Sequence, residues 1–449
     1  MNGFDAIIIG GGCAGFSAAT ALADRGARVL LVEARPGLGG RATAFRDPET
    51  GERVDNGQHI LMGCYTDTLC FLDRIGAADR VRWQSGLKIS MIDRRGHESV
   101  LALPSLPSPL HFLAGVLAWD ALTWSERLSV LRAGSILRSG GDRPSGLSIP
   151  GGVSVRQWLS QIGQAPRLCE LLWEPLALAA LNQSIDQAEA STFIRVLQRV
   201  FGPDPSAAAL VMPAVPLDEM YVEPSLAFLA RRHGEVRVNA PGKIVIDGDR
   251  VRGVRVRDDV IAAPVVISTV PWFSFNALFD TPPPQLRDTL ANAAALGSLP
   301  IVTVNLWFDA PVMRDQLVGL PGRNFQWVFD RRAIVGGHAS HLSMIASGAE
   351  ALVAQNNETL VATALREVRD ALPAARRATL RKGLAVREKR STFSLAPGAP
   401  PRPEMRTPID GLLLAGDWIQ TGLPATIESA VISGHRAATA AEGRAAALA

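Results

Sequence analysis

The chain has 449 residues, 47% of them apolar and 20% charged, with a formal net charge of +3. Acidic residues are mixed among the Lys and Arg throughout, which excludes the basic stripe of a nucleic-acid-binding protein. The four cysteines, Cys13, Cys64, Cys70 and Cys169, form no CxxC pair and meet no histidine at zinc spacing, so no metal site is expected. The length suits roughly two to four domains, or one enzyme of two interleaved domains. A mean hydropathy of +0.14 calls for a large core, an apolar ligand or a membrane-facing patch. Phe4–Gly10 is apolar, but Asp5 interrupts it and glycines follow at once, so it does not read as a signal peptide. A cytoplasmic setting with reduced thiols is expected.

Ala6–Ile9 reads as a short buried strand. It runs into GGGCAGFSAATALADRG, where Gly10, Gly12 and Gly15 match G-x-G-x-x-G. The first glycine permits the turn, the second lets a diphosphate approach the backbone, and the third lets the next helix pack on the sheet. That helix is expected from about Cys13 to Arg25, its free N–H groups at Cys13 and Ala14 aimed at the phosphates. Arg28–Val32 is the second strand. Glu33 stands at its tip, about 20 positions beyond the glycines, where a carboxylate accepts ribose hydroxyls and repels the 2′-phosphate of NADP. ARPGLGGRA, Ala34–Ala42, follows through Ala34 and Arg35. It offers a second close-approach pair, Gly39 and Gly40, and sets Arg41 beside the diphosphate, ahead of Ala42. Then VDNGQHILMGCY, Val54–Tyr65, crowds Asp55, Asn56, Gln58 and His59 around Gly57, as a surface turn or as the lining of a cofactor.

No run reaches the roughly 18–20 apolar residues that span a bilayer. Leu101–Trp119 comes nearest, but Pro104, Pro107 and Pro109 break it and leave a helix from about Leu110 to Trp119. A buried core helix and a monotopic membrane contact both fit that segment. Helical periodicity follows at Ser125–Leu137, Val153–Ile162 and Ala165–Leu181. Glu235–Val270 holds several short strands, including one just after Pro241 and Gly242. A strand pattern at Ile301–Phe308 precedes a helix at Glu358–Leu372. Gly411–Ala415 is a last buried strand, with Gly416 and Asp417 behind it. Pro424 then suits the first turn of a helix whose apolar face carries Ile427, Ala430 and Val431. The Ala-rich tail, Ala437–Ala449, reads as frayed.

The first βαβ unit joined to the GG-R element, with the Gly416–Asp417 strand end and helix far downstream, resembles the flavin amine oxidase and phytoene desaturase superfamily. The resemblance implies an α/β fold: a Rossmann-type FAD-binding domain with a discontinuous mixed α+β substrate domain. The expected division is 1–85, 206–291 and 401–449 for FAD, and 86–205 and 292–400 for substrate. It further implies that Asp417 bonds a ribityl hydroxyl of FAD and that the helix at Thr426 and Ile427 points at the flavin pyrimidine. The strands of Glu235–Val270 are implied to form a meander over the adenine, with Gly242 at the usual contact. No cysteine lies beyond Cys169, so the FAD is expected to be noncovalent.

VDNGQHILMGCY, LWEPLALAAL at Leu172–Leu181 and GDWIQTGLPATIESA at Gly416–Ala430 are similar to one subgroup, the squalene-associated FAD-dependent desaturases, or hydroxysqualene dehydroxylases. That similarity implies reductive dehydroxylation of hydroxysqualene to squalene in bacterial squalene and hopanoid biosynthesis. Reduced flavin N5 would deliver a hydride to an allylic cation. Gly57 would run against the isoalloxazine. His59 is the candidate acid and Gln58 a further catalytic candidate, although holding the flavin is the alternative role for His59. A long isoprenoid also needs an apolar tunnel, for which Trp173, Leu176, Leu178, Leu181, Trp307, Phe308, Phe325 and Trp327 are candidates. Peripheral association with the inner membrane is expected through segment 101–119. The electron donor is not implied. Carotenoid-type desaturation or amine oxidation remains open, as does a noncatalytic prenyl-lipid carrier. Amine oxidation usually wants an aromatic cage, and neither tyrosine, Tyr65 or Tyr221, is near Asp417 in sequence.

Overall fold

The computed structural model describes residues 3–137, 151–337 and 340–448. Five short strands, four of them largely aliphatic, build its first sheet. In spatial order they are Glu235–Arg237, Val29–Val32, Ala6–Ile9, Val265–Ser268 and Leu412–Leu414, all parallel. AIII, VLLV and VVIS are buried at every position, as strands covered on both faces must be. The helix Cys13–Asp24 and the terminal helix Ile427–Leu448 pack on each other. Their close approach depends on Gly434, where a Cβ would lie 2.4 Å from the Ala14 carbonyl oxygen.

A second, mixed sheet of seven strands lies beside the first. Its order is Leu380–Phe393, Ser298–Phe308, Ser340–Ala346, Trp327–Asp330, Leu317–Gly319, Lys88–Ile92, Glu98–Ala102. All its pairings are antiparallel except Leu317–Gly319 with Lys88–Ile92. Strand alternation splits its side chains cleanly. Val302, Val304, Leu306 and Phe308 join one apolar cluster with Leu342, Met344 and the helix residues Leu360, Ala364 and Val368. The opposite face carries Thr303, Asn305, Trp307, His341, Ser343, Trp327 and Phe329, directly opposed across the strands. The strands of the first sheet come from 1–85, 206–291 and 401–449, and those of the second from 86–205 and 292–400.

Several expectations are corrected. The strands of Glu235–Val270 are not one meander. Glu235–Arg237 and Val265–Ser268 belong to the parallel sheet, and only Gly242–Asp247, Arg250–Val256 and Asp259–Ala262 form an antiparallel ribbon. Leu101 lies within an edge strand, Glu98–Ala102, and Phe112, Val116 and Trp119 of the segment behind it are core. Phe308 and Phe325 pack in the cluster behind the second sheet, away from Trp307 and Trp327, and cannot share a tunnel with them. Pro424 lies ahead of the terminal helix, which starts at Ile427 because the Thr426 hydroxyl accepts the Ser429 N–H at 3.1 Å. The tail is the last turns of that helix as far as Leu448, and Ala449 lies outside the described residues.

Gly434→Val should lower unfolding stability by roughly 1–3 kcal/mol, measured by urea denaturation, because the added carbons force two buried helices apart.

Candidate cofactor and substrate site

Strand Ala6–Ile9 ends at Gly10, Val29–Val32 at Glu33, Val265–Ser268 at Thr269 and Leu412–Leu414 at Ala415–Asp417, all on one edge of the parallel sheet. A parallel sheet puts its ligand at that edge. A Cβ on Gly15 would lie 1.9 Å from the Gly10 carbonyl oxygen, so the turn closes only with glycine there. Over Gly12 a Cβ would meet nothing nearer than 3.9 Å, and what it meets is the backbone of Gly39 and Gly40. The helix behind it has no side-chain cap and no acidic residue in its first turn, so its end is receptive to an anion. Cys13 at that end is buried, and burial pushes its thiol up to about 11, which leaves it protonated.

Glu33 accepts the Gly11 N–H at 2.8 Å and the Arg35 N–H at 2.9 Å, which holds the carboxylate across the glycine loop with lone pairs to spare for hydroxyls. The Ala240 N–H donates to the Glu33 carbonyl, and Gly242 packs against Val32 and Val254, so the 239–242 segment borders this corner. Ala34 follows Glu33 and is exposed; Ala42 is buried.

The two ends of the chain meet at Arg41. Its guanidinium forms a bidentate pair with Asp417, at 2.6 and 3.0 Å across 376 residues of sequence. It also donates to the Ser391 carbonyl and lies 5.3 Å from the Trp272 ring. Arg41 is therefore paired rather than a free cation. Tyr221 clamps the same turn from below, donating to the carbonyls of Gly39 at 2.8 Å and Ala42 at 2.7 Å. Nothing around Tyr221 in the sequence signalled that role. Asp417 is tied to the terminal helix: Ser429 donates to its carbonyl, and the Gly416 N–H donates to Ser433. Thr426 caps the helix and meets the Tyr65 hydroxyl, so an aromatic ring does stand by this motif. Ile427 is the first helical residue, and Glu428 behind it is wholly buried. Glu428 accepts from the Thr68 N–H and hydroxyl and from Arg199, while burial holds its carboxyl above the usual range.

The Val54–Tyr65 stretch is neither a free surface turn nor an isolated lining. Asn56 donates to the Arg41 carbonyl and accepts from Thr43, so the turn is fastened to the GG-R element. Asp55 accepts the Leu217 N–H and pairs with Arg331 at 2.5 Å, both side chains being almost fully buried. Arg331 also donates to Gln58 at 2.5 Å. Removing one partner of such a buried pair typically costs about 3–5 kcal/mol. Burial pulls the pKa of His59 below the ordinary 6.5. Its Nδ1 stands 2.7 Å from the Gly57 carbonyl, which can only accept. Nδ1 therefore carries the proton and Nε2 presents a lone pair. In that state His59 is a proton acceptor, and it serves as an acid only after being charged.

Facing this turn is the polar side of the second sheet. A Cβ on Gly57 would lie 3.5 Å from the Thr303 hydroxyl. Trp307 donates to Glu52 at 2.9 Å and stacks on His341 with centroids 4.1 Å apart. His341 Nε2 lies 2.9 Å from the Asn305 amide oxygen, and burial lowers its pKa. Sequence reasoning missed Glu52, Thr303, Asn305, Arg331 and His341. Alternation along Ile301–Phe308 was the one signal, since it sets Thr303, Asn305 and Trp307 on one face.

These residues fit an FAD: an open backbone over Gly12, an uncapped helix end, a carboxylate at the second strand's tip, and an acid and a capped helix brought in from the far end of the chain. Among the described residues no cluster of His, Cys, Asp and Glu could hold a metal ion.

Residues 13–441 match the family described as flavin containing amine oxidoreductase. A 15-cis-phytoene desaturase from Synechococcus elongatus is 25% identical over 96% of this chain and 94% of its own length. A hydroxysqualene dehydroxylase from Zymomonas mobilis is 26% identical over 96% and 97%. The crystal structure of an oxidoreductase from Methanosarcina mazei superposes with a TM-score of 0.76 at 16% identity, over 96% of this chain and 99% of that one. With its α/β FAD-binding fold and mixed α+β second domain, the chain belongs to the flavin containing amine oxidoreductase family and is an FAD-dependent oxidoreductase.

Proposed function

We propose that this enzyme exchanges a hydride with an allylic carbon of a long-chain isoprenoid. Relatives named for such chemistry match nearly the whole chain and support the reading. The observation that carries it is the Gly57–His59 turn, fastened to the GG-R element and set against a sheet face whose neighbours Trp327, Phe329 and Ile345 belong to a large apolar cluster. FAD bound at the strand edge would supply the hydride chemistry. We assign its contacts to Gly10, Gly12, Cys13, Ala14, Gly15 and Glu33, to the Ala34–Ala42 loop, to Gly57, Gln58 and His59, to Gly242, and to Gly416, Asp417, Thr426 and Ile427. The domain division read from the sequence is retained as part of the proposal.

Desaturation is the first reading of direction. Several relatives are 15-cis-phytoene desaturases, and a neutral His59 with a free Nε2 lone pair suits taking up the proton that leaves the substrate. Reductive dehydroxylation of hydroxysqualene is the second. It is supported by the VDNGQHILMGCY, LWEPLALAAL and GDWIQTGLPATIESA phrases and by the Zymomonas relative of equal extent.

We further propose peripheral binding at the cytoplasmic face of a membrane. Among the described residues no helix is long and apolar enough to cross one. However, Leu106, Leu110, Trp124, Leu128 and Leu131 lie exposed together along the 103–131 segment, Trp124 at 68% and Leu110 at 54%. Trp124, Leu128 and Leu131 recur at helical spacing, and Arg127 stacks beneath Trp124.

Acid precipitation should release a yellow chromophore into the supernatant. Oxidised protein given phytoene should yield a more unsaturated product, and reduced protein given hydroxysqualene should yield squalene only if the second reading holds. Turnover of neither lipid would overturn the isoprenoid assignment. His59→Ala should keep the colour and slow turnover by roughly 10²–10⁴-fold. Liposome flotation should weaken in a variant with Leu110, Trp124 and Leu128 all changed to serine, whereas Phe112→Ser, at a core position, should lower stability instead.

A further inference from the structure

The sheet face beside the Gly57 turn carries buried polar atoms without a hydrogen-bond partner. They include the Thr303 hydroxyl, the Trp327 indole N–H, one guanidinium nitrogen of Arg331 and one side-chain amide atom of Asn305. The Glu52 carboxylate lies 3.4 Å from His341 Nδ1 and takes the single N–H of a neutral ring, so Nε2 accepts from the Asn305 amide turned to present its NH2, and the amide oxygen is the atom left unpaired. The groups lie close together. Thr303 and Asn305 are two apart on one strand, and Thr303 stands across from Ile345, which stands across from Trp327. The Thr303 hydroxyl reaches Gly57, and Arg331 holds Asp55 and Gln58 of the same turn. The Arg331 charge also acts on His341 and Glu52.

Buried polar groups are nearly always paired, and an unpaired group inside a fold calls for an explanation. Thr303 and Arg331 at the turn, with Asn305 and Trp327 along the adjoining row, are poor lining for a hydrocarbon, which offers neither a lone pair nor a proton donor. A hydroxyl on the ligand, which both donates and accepts, would satisfy more than one of them.

We propose that Thr303, Asn305 and Arg331 bind the oxygen of an oxygenated isoprenoid, a hydroxyl at or next to the allylic carbon. The inference rests on the isoprenoid reading above, and within it favours the second direction, whose substrate is an alcohol, over the first, whose substrate is a hydrocarbon. Arg331 contributes its free nitrogen while its other amino group stays on Asp55 and Gln58, so the oxygen is held against the turn that carries His59. Trp327, two strands away from Thr303, bounds the far side of the same row.

The experiment is equilibrium binding to the oxidised flavoprotein, without turnover, read from the perturbation of the flavin absorbance by hydroxysqualene and by squalene. Wild-type protein should prefer the alcohol by at least roughly 10-fold, since a site built around a hydroxyl discriminates against the analogue lacking it. Thr303→Val and Asn305→Leu should each remove about 5- to 10-fold of that preference and leave squalene binding unchanged. Because Thr303→Val deletes an unpaired hydroxyl at constant shape, its melting temperature should not fall, which separates lost recognition from lost folding. Equal binding of the two lipids by wild-type protein would overturn the oxygen site and leave the isoprenoid reading intact. A preference for the alcohol that survives both substitutions would also overturn it. Binding of neither lipid would remove the isoprenoid reading itself.

Discussion

The pairing of Arg41 with Asp417 is the contact on which the site depends. It joins a loop near the start of the chain to a strand end near its finish, and it exists because both lie at the carboxyl edge of the same parallel sheet. A parallel sheet orients all its strand ends alike, so residues far apart in sequence arrive at one place without any long-range signal of their own. Tyr221, Asn56 and Ser429 then fasten the surrounding loops, each by donating to a backbone carbonyl beside the pair. What results is a set of loops held rigidly around the opening over Gly12.

A second connection, Asp55 with Arg331, joins those loops to the seven-stranded sheet. Its two charges are buried, so neither can be removed without stranding the other. The energetic consequence is a turn, Asp55–His59, that belongs mechanically to both layers. The two faces of the second sheet show why this was possible. One joins an apolar cluster and is covered by the helix Asn357–Ala371, while the other sets Thr303, Asn305, His341, Ser343 and Trp307 beside the apolar Trp327, Phe329 and Ile345. Polar residues on a buried face destabilise a fold unless something meets them.

Burial also sets the protonation of the site. His59 and His341 both lose water and are held neutral near pH 7, and the single N–H of His59 is spent on the Gly57 carbonyl. A neutral imidazole with one engaged nitrogen has one direction of proton traffic open to it. Sequence could name His59 but not its state, because that state follows from surroundings contributed by other segments.

The sequence by itself determined the nucleotide half of the fold. Gly10, Gly12, Gly15 and Glu33 are local in spacing, and the turn they make is decided by sterics within a few residues. The strand Leu412–Leu414 and the acid behind it were legible for the same reason. Strand alternation over Ile301–Phe308 was legible too, but not which of its faces met the cofactor loops. Tertiary structure alone decided that Phe325 packs behind the second sheet with Phe308, that Phe112 is core while Leu110 and Trp124 are exposed, and that Arg331 reaches Asp55. It also decided that the Glu235–Val270 strands divide between two sheets. Each of these depends on which distant surface covers a residue, and a hydrophobic pattern records only that something must cover it, not what.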